Sequence, residues 1–165
     1  MVSQEHLSWV RKYFNKIYQT PILENFLKLQ IVELEEGKII YRTTVIDKHC
    51  NIYGFIHGGT LASISDVAMG VACITLGKRV VTIDMNISYI KNAPAGSTLT
   101  AIGKVISNGR TIMRVTGEIF NGQQLLVRSQ ASYFVTGNFC KSDYPHPKFV
   151  LHRFECSGSA LRKRM

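Results

Sequence analysis

Asn51-Ile-Tyr-Gly-Phe-Ile-His57-Gly58-Gly59-Thr60-Leu-Ala-Ser-Ile-Ser-Asp66 places a polar loop, a glycine pair and a lone carboxylate around one helix start. Lacking side chains, Gly58 and Gly59 let backbone N–H groups approach a ligand closely, and the helix dipole adds partial positive charge at the same point. Such a place suits a developing oxyanion. Downstream, residues 61–76 carry apolar side chains at 61, 64, 67, 68, 71, 72, 75 and 76, with Thr75 counting by its methyl, the spacing of a helix largely wrapped by other structure. Asp66 falls within it, among Ile64, Val67, Ala68 and Met69. A carboxylate is costly to bury without a partner, so this position points to chemistry over the plainer reading of a satisfied structural Asp.

Gly58 and Asp66 are eight residues apart, about 12 Å along one helix at roughly 1.5 Å per residue. Groups that act on one carbonyl must lie about 3 Å from the reacting atoms. If both serve the same substrate, one comes from a second copy of the chain, which predicts a two-fold dimer with a shared site.

The chain has 165 residues, 45% of them apolar, and four prolines, which fits a single domain with a sizeable core. No apolar run approaches the ~20 residues of a membrane span, and residues 1–9 lack the pattern of a cleavable leader, so a cytoplasmic protein without stable membrane association is expected. Cys50, Cys73, Cys140 and Cys156 lie far apart and read as reduced thiols. His49, Cys50, His57 and Asp66 match no common zinc spacing, so no metal is expected. Of the formal charge of +9, residues 138–165 carry +4, and the rest is spread without a basic stripe. That distribution argues against nucleic acid and is consistent with a phosphate-rich ligand such as coenzyme A.

Residues 4–19 predict an amphipathic helix ending before Thr20-Pro21. Its Trp9, Tyr13, Phe14 and Tyr18 favour a lid packed on the domain over a membrane-surface helix. Residues 27–34 and 38–46 predict a hairpin around Glu35-Glu36-Gly37. Four further strands are expected over about 79–90, 97–107, 110–121 and 124–136 as an antiparallel meander, with turns at Asn108-Gly109 and Asn121-Gly122. In the first of these, Thr82, Asp84, Asn86 and Ser88 alternate against Val81, Ile83, Met85, Ile87 and Tyr89. The order is α+β, an antiparallel sheet that can curl around one long helix. Residues 138–165, with Pro145, Pro147 and Arg162-Lys163-Arg164, form a basic C-terminal extension to a domain spanning 1–137.

Asn51-x-x-Gly54-x-x-His57-Gly58-Gly59, six residues, then Asp66, followed by Thr82-Ile-Asp84-Met-Asn86-Ile-Ser-Tyr89, resembles the PaaI-type hotdog-fold acyl-CoA thioesterases over residues 20–136. The resemblance implies a six-stranded antiparallel sheet wrapped around the central helix. It also implies dimers with a continuous sheet, commonly paired into homotetramers. Carried over by position, it implies that the Gly58 N–H and the Asn51 side chain polarise the thioester carbonyl. Asp66 of the facing subunit would be general base or nucleophile, and Thr82 would help place the attacking water. Some members have serine at the Thr82 position and others a Glu in place of Asp66. Residues 138–165 have no counterpart in the pattern.

A thioester needs an oxyanion donor and an activated nucleophile, while thiolate leaves with little acid assistance, so Asp66 suffices as the sole ionisable catalyst. His57 either orients Asn51 and its loop or is a hydrogen-bonded structural histidine. Gly59 joins the substrate-binding set by its place beside Gly58. Arg110, in the turn after Asn108, is the foremost candidate for the phosphates of coenzyme A, ahead of Lys91 and Lys104. The expected activity is hydrolysis of acyl-CoA to free acid and coenzyme A, with no cofactor beyond the substrate. The alternatives are a non-catalytic acyl-CoA-binding hotdog protein and, less compatibly, a hydratase. The acyl group itself is not legible.

Overall fold

A 17-residue helix, α3 (Gly58–Ile74), forms the axis of the fold. The structure, a computed structural model, describes residues 2–142, so most of the expected C-terminal extension, including Cys156, lies outside the described residues. Ahead of α3 come α1 (Gln4–Ile17), α2 (Leu23–Phe26), β1 (Gln30–Glu35) and β2 (Lys38–Thr44). Behind it come β3 (Lys78–Tyr89), β4 (Thr98–Asn108), β5 (Ile112–Asn121) and β6 (Gln124–Asn138).

The six strands form one sheet in the order β1-β2-β4-β5-β6-β3, antiparallel throughout. It packs on α3 through β2, β3, β4, β5 and β6. Leu61, Ile64, Ala68, Met69, Val71, Ala72 and Cys73 of α3 are buried against it. Burial pushes the Cys73 thiol up to about 12, which keeps it an unreactive core group. The contact is closest at Gly103 on β4, where a β-carbon would overlap the Ala68 carbonyl of α3.

The hairpin at 35–37 and the tight turn at Asn121-Gly122 are present, while the turn expected at Asn108-Gly109 is wider, with Asn108 pairing with Met113 across residues 109–112. Glu35 pairs with Lys38 across Glu36-Gly37, where Gly37 takes φ +74°, and Asn121 pairs with Gln124 across Gly122, at φ +59°. The four-strand meander is corrected: only β4, β5 and β6 meander, and β3 pairs with β6 at the far edge. Residues 90–97 are a crossing segment, not a turn. Ile56 N–H donates to the Ala93 carbonyl and Val45 N–H to the Ser97 carbonyl, so the chain passes over the entrance to α3 and delivers β4 beside β2.

The alternation expected along β3 is also corrected. Thr82 pairs with Tyr133 but Asp84 pairs with Ser132, so Ile83 is an extra, bulged residue. A one-residue bulge exchanges the faces of everything beyond it. Thr82 therefore shares the helix-facing side with Met85, Ile87 and Tyr89, while Val81 and Ile83 stand outside, 53% and 52% exposed.

Helix α1 starts at Ser3, whose side chain accepts from the His6 N–H. It buries Leu7, Val10, Tyr13, Phe14 and Ile17. Of the aromatics that suggested a lid, Tyr13, Phe14 and Tyr18 are core residues and Trp9 is half-buried against them. Trp9, Tyr13 and Phe14 pack on Phe139, and the Tyr18 and Tyr41 hydroxyls meet at 2.6 Å. Arg11 donates to the Ile31 carbonyl of β1, so α1 lies by the edge opposite β3. The first strand begins later than expected, at Gln30, because α2 and a positive-φ Lys28 (φ +55°) precede it. Among the described residues, no helix is long and apolar enough to cross a membrane.

Gly103→Ala forces the sheet away from the helix backbone. We expect a loss of about 2–3 kcal/mol in urea unfolding, where an overpacked core typically falls; unchanged stability would show that α3 and β4 are not in direct contact.

Candidate active site

The loop entering α3 is folded by Asn51. Its N–H donates to the Phe55 carbonyl, and its Oδ1 accepts from the N–H groups of Tyr53 at 2.9 Å and Phe55 at 3.3 Å. The acceptor end of the side chain is thus committed to the loop, with Gly54 at φ +78° closing the turn. The Nδ2 donor end has no protein partner among the described residues.

His57 is the N-cap of α3, its Nδ1 accepting the Gly59 N–H at 2.9 Å. That bond requires an unprotonated Nδ1, so the neutral ring carries its proton on Nε2. Of the two expected glycine donors, Gly59 is therefore occupied within the chain. Gly58 retains an unpartnered first-turn N–H among the described residues. Tyr89 closes over this glycine: its hydroxyl donates to the Gly58 carbonyl at 3.1 Å, and its ring lies 3.6 Å from where a β-carbon would stand. The geometry gives His57 a capping task.

Two turns along, Asp66 is half-buried, more open than its apolar neighbours in sequence suggested. Its Oδ1 accepts two hydroxyls, Thr82 from β3 at 2.9 Å and Tyr133 from β6 at 2.9 Å. Tyr133 also reaches the Asp66 backbone carbonyl at 3.0 Å. Burial, and then the Asp66 charge, hold the Tyr133 hydroxyl far above the ordinary phenol range, so it remains a donor at working pH. Oδ2 has no protein partner among the described residues.

The expected site residues thus fall into two groups. Asn51, His57, Gly58 and Gly59 gather at the start of α3 with Tyr89, while Asp66 and Thr82 meet with Tyr133 about 12 Å along the same helix, by its rise per residue. Lys91, two residues beyond Tyr89, lies at the Gly58 end, its N–H donating to the Leu126 carbonyl. Arg110 is at the other end. Its turn follows β4, which runs past Gly37 and the C-cap Thr75 of α3. Tyr89 and Tyr133 were not singled out from sequence. Tyr89 stands within the strand motif, but only the pairing of Tyr133 with Thr82 places it against the carboxylate. His49 is engaged within the fold, its ring nitrogens meeting the Phe26 carbonyl at 2.8 Å and the Ile46 N–H at 3.3 Å.

A profile of the thioesterase superfamily matches residues 53–128. The chain is 30% identical over 122 residues to the acyl-coenzyme A thioesterase PaaI of Escherichia coli, covering 74% of this chain and 86% of that one. The solved structure of Escherichia coli PaaI aligns with a TM-score of 0.74 at 25% identity, over 81% of this chain and 98% of that one. A Streptococcus mutans protein solved bound to acetyl CoA aligns with a TM-score of 0.68 at 32% identity, over 74% and 97% of the two chains.

His57→Ala removes the acceptor for the Gly59 N–H and is expected to cost about 1 kcal/mol in thermal or urea unfolding, whereas His57→Asn, a good cap, keeps stability and activity. Inactivity of a stable Asn variant would mean that the imidazole does chemistry.

Proposed function

As the chain belongs to the thioesterase superfamily and has the hotdog architecture of its PaaI-type members, we propose that it hydrolyses acyl-CoA thioesters to a carboxylic acid and coenzyme A, in a site shared between two copies. The observation that carries this reading is the separation of two complementary half-sites, an N–H donor and a carboxylate, on one helix. Neither is sufficient alone.

In the proposed reaction the thioester oxygen sits on the Gly58 N–H, helped by the Asn51 Nδ2 and the positive end of α3. Asp66 of the second copy presents Oδ2. As general base it takes a proton from a water resting on Thr82, and the new C–O bond forms as the C–S bond breaks and the thiolate leaves. As nucleophile its Oδ2 bonds to the carbonyl carbon as the C–S bond breaks and the thiolate leaves, giving a mixed anhydride that water then cleaves to the two carboxylates. The Thr82 hydroxyl donates to Asp66, so its lone pairs remain to accept from water.

Edge strand β3 supports the shared site. Its outer side has no strand partner in the single chain, and long open edges are usually covered. Two copies of α3 crossing antiparallel near residue 62 would set each Gly58 opposite the Asp66 of the other. Ile52 and Tyr53, 92% and 76% exposed beside Asn51, offer apolar surface that the second copy would cover. Val81, Phe134 and Ile112 form an exposed cross-strand row on the outer sheet, which favours pairing of dimers into a homotetramer. Lys91 flanks the Gly58 end of the site, and the second copy would bring its Arg110 toward the same mouth, two cations for the coenzyme A phosphates. Cys50 and Cys73 are free thiols, which fits a reducing compartment such as the cytoplasm.

Thiol release from acyl-CoA should fall about 10²–10⁴-fold in Asp66→Asn with binding retained. Asn51→Ala should also lose turnover. Isolated mixed dimers of Asp66→Asn and Asn51→Ala chains contain one intact site of two, so roughly half the native rate returns, or about a quarter in an unfractionated equimolar mixture. No return would place both groups of each site on one chain, and binding without turnover by the native chain would make it an acyl-CoA-binding protein.

A further inference from the structure

We propose that Tyr133 is a positioning residue for the reaction: with Thr82 it saturates Oδ1 of Asp66 and so assigns Oδ2 as the reacting oxygen. The inference rests on the reading of Asp66 as the catalytic carboxylate. Three observations carry it.

Tyr133 is 2% exposed, and its hydroxyl bridges two atoms of one residue, Oδ1 at 2.9 Å and the backbone carbonyl at 3.0 Å. A donor shared in this way ties the side chain to its own backbone and limits rotation of the carboxylate. The ring is also seated. Gly70, one turn after Asp66, faces it, and a β-carbon there would lie 3.7 Å from the ring. The third observation is register: Thr82 and Tyr133 are direct cross-strand partners, so their hydroxyls reach the same oxygen from adjacent strands. With two donors on Oδ1, its lone pairs are spent and its basicity falls, while Oδ2 keeps both for a water proton or an acyl carbon. Of the groups packed around Asp66, Tyr133 is titratable and neutral, Thr82 is not titratable, and Cys73 lies next beyond Tyr133 as a neutral thiol.

Tyr133→Phe keeps the ring and deletes the donor. The expected result is a ten- to hundredfold lower kcat with KM within about twofold, and an acid limb of the kcat/KM profile shifted upward by on the order of one pH unit. The sign follows from the lost bond: it favoured the charged carboxylate, so its removal makes protonation easier. Should the Phe variant not fold, 3,5-difluorotyrosine placed at 133 keeps both ring and hydroxyl as a stronger donor, and the acid limb should move downward. Native kcat and an unmoved acid limb in a folded variant would reduce Tyr133 to a packing residue. Asp66→Asn assayed alongside separates the two claims: if it retains turnover, the reading of Asp66 fails; if it is inactive while Tyr133→Phe is native-like, only the positioning role fails.

Discussion

A helix is a rigid ruler, and eight residues of α3 hold the Gly58 N–H about 12 Å from the Asp66 carboxylate. No rotamer closes that gap. The sheet makes the ruler stiffer still, because β4 lies on the helix backbone at Gly103, where a methyl group has no room. An oxyanion donor and a carboxylate fixed in this way serve one carbonyl only when two helices lie side by side. Strand β3, at an edge of the sheet, has no strand partner on its outer side within the single chain.

Within each half-site the chain decides which atoms remain available. His57 takes the Gly59 N–H and leaves that of Gly58. Asn51 spends its oxygen on its own loop and leaves its amide N–H. Thr82 and Tyr133 take Oδ1 and leave Oδ2. Folding bonds satisfy one end of each polar group and leave the other without a protein partner among the described residues, which is preorganisation of the kind that electrostatic catalysis needs.

Local chemistry was legible in the sequence. The apolar run of 61–76 marked α3, and glycines at turns marked the hairpins, with Gly37 and Gly122 at positive φ as such turns require. Asn51, Gly58 and Asp66 were singled out by their spacing, and the structure places the first two at the start of α3 and the third two turns along it. What did not show was anything set by parity or crossover. Thr82, Val81 and Ile83 read as simple alternation, because a bulge carries no residue signature, yet it turns Thr82 toward Asp66. Residues 92–96, between two strands expected as neighbours in the meander, are a crossing that leaves β3 at the edge. The aromatic face of α1 read as a lid packed on the domain, and only its contacts with Phe139 tie it into the core. Tyr133 was invisible for the same reason, since its partner is sixty-seven residues away.

The most direct test is a crystal structure with an acyl-CoA analogue whose sulfur is replaced by methylene, leaving a ketone that cannot be hydrolysed. The account predicts the ketone oxygen about 3 Å from the Gly58 nitrogen of one protomer. It also predicts Oδ2 of the second protomer's Asp66 within about 3.5 Å of the carbonyl carbon or of a water poised on it, with Thr82 and Tyr133 still on Oδ1. A ketone held by Gly58 and Asp66 of the same chain, or one that meets Oδ1, would contradict it.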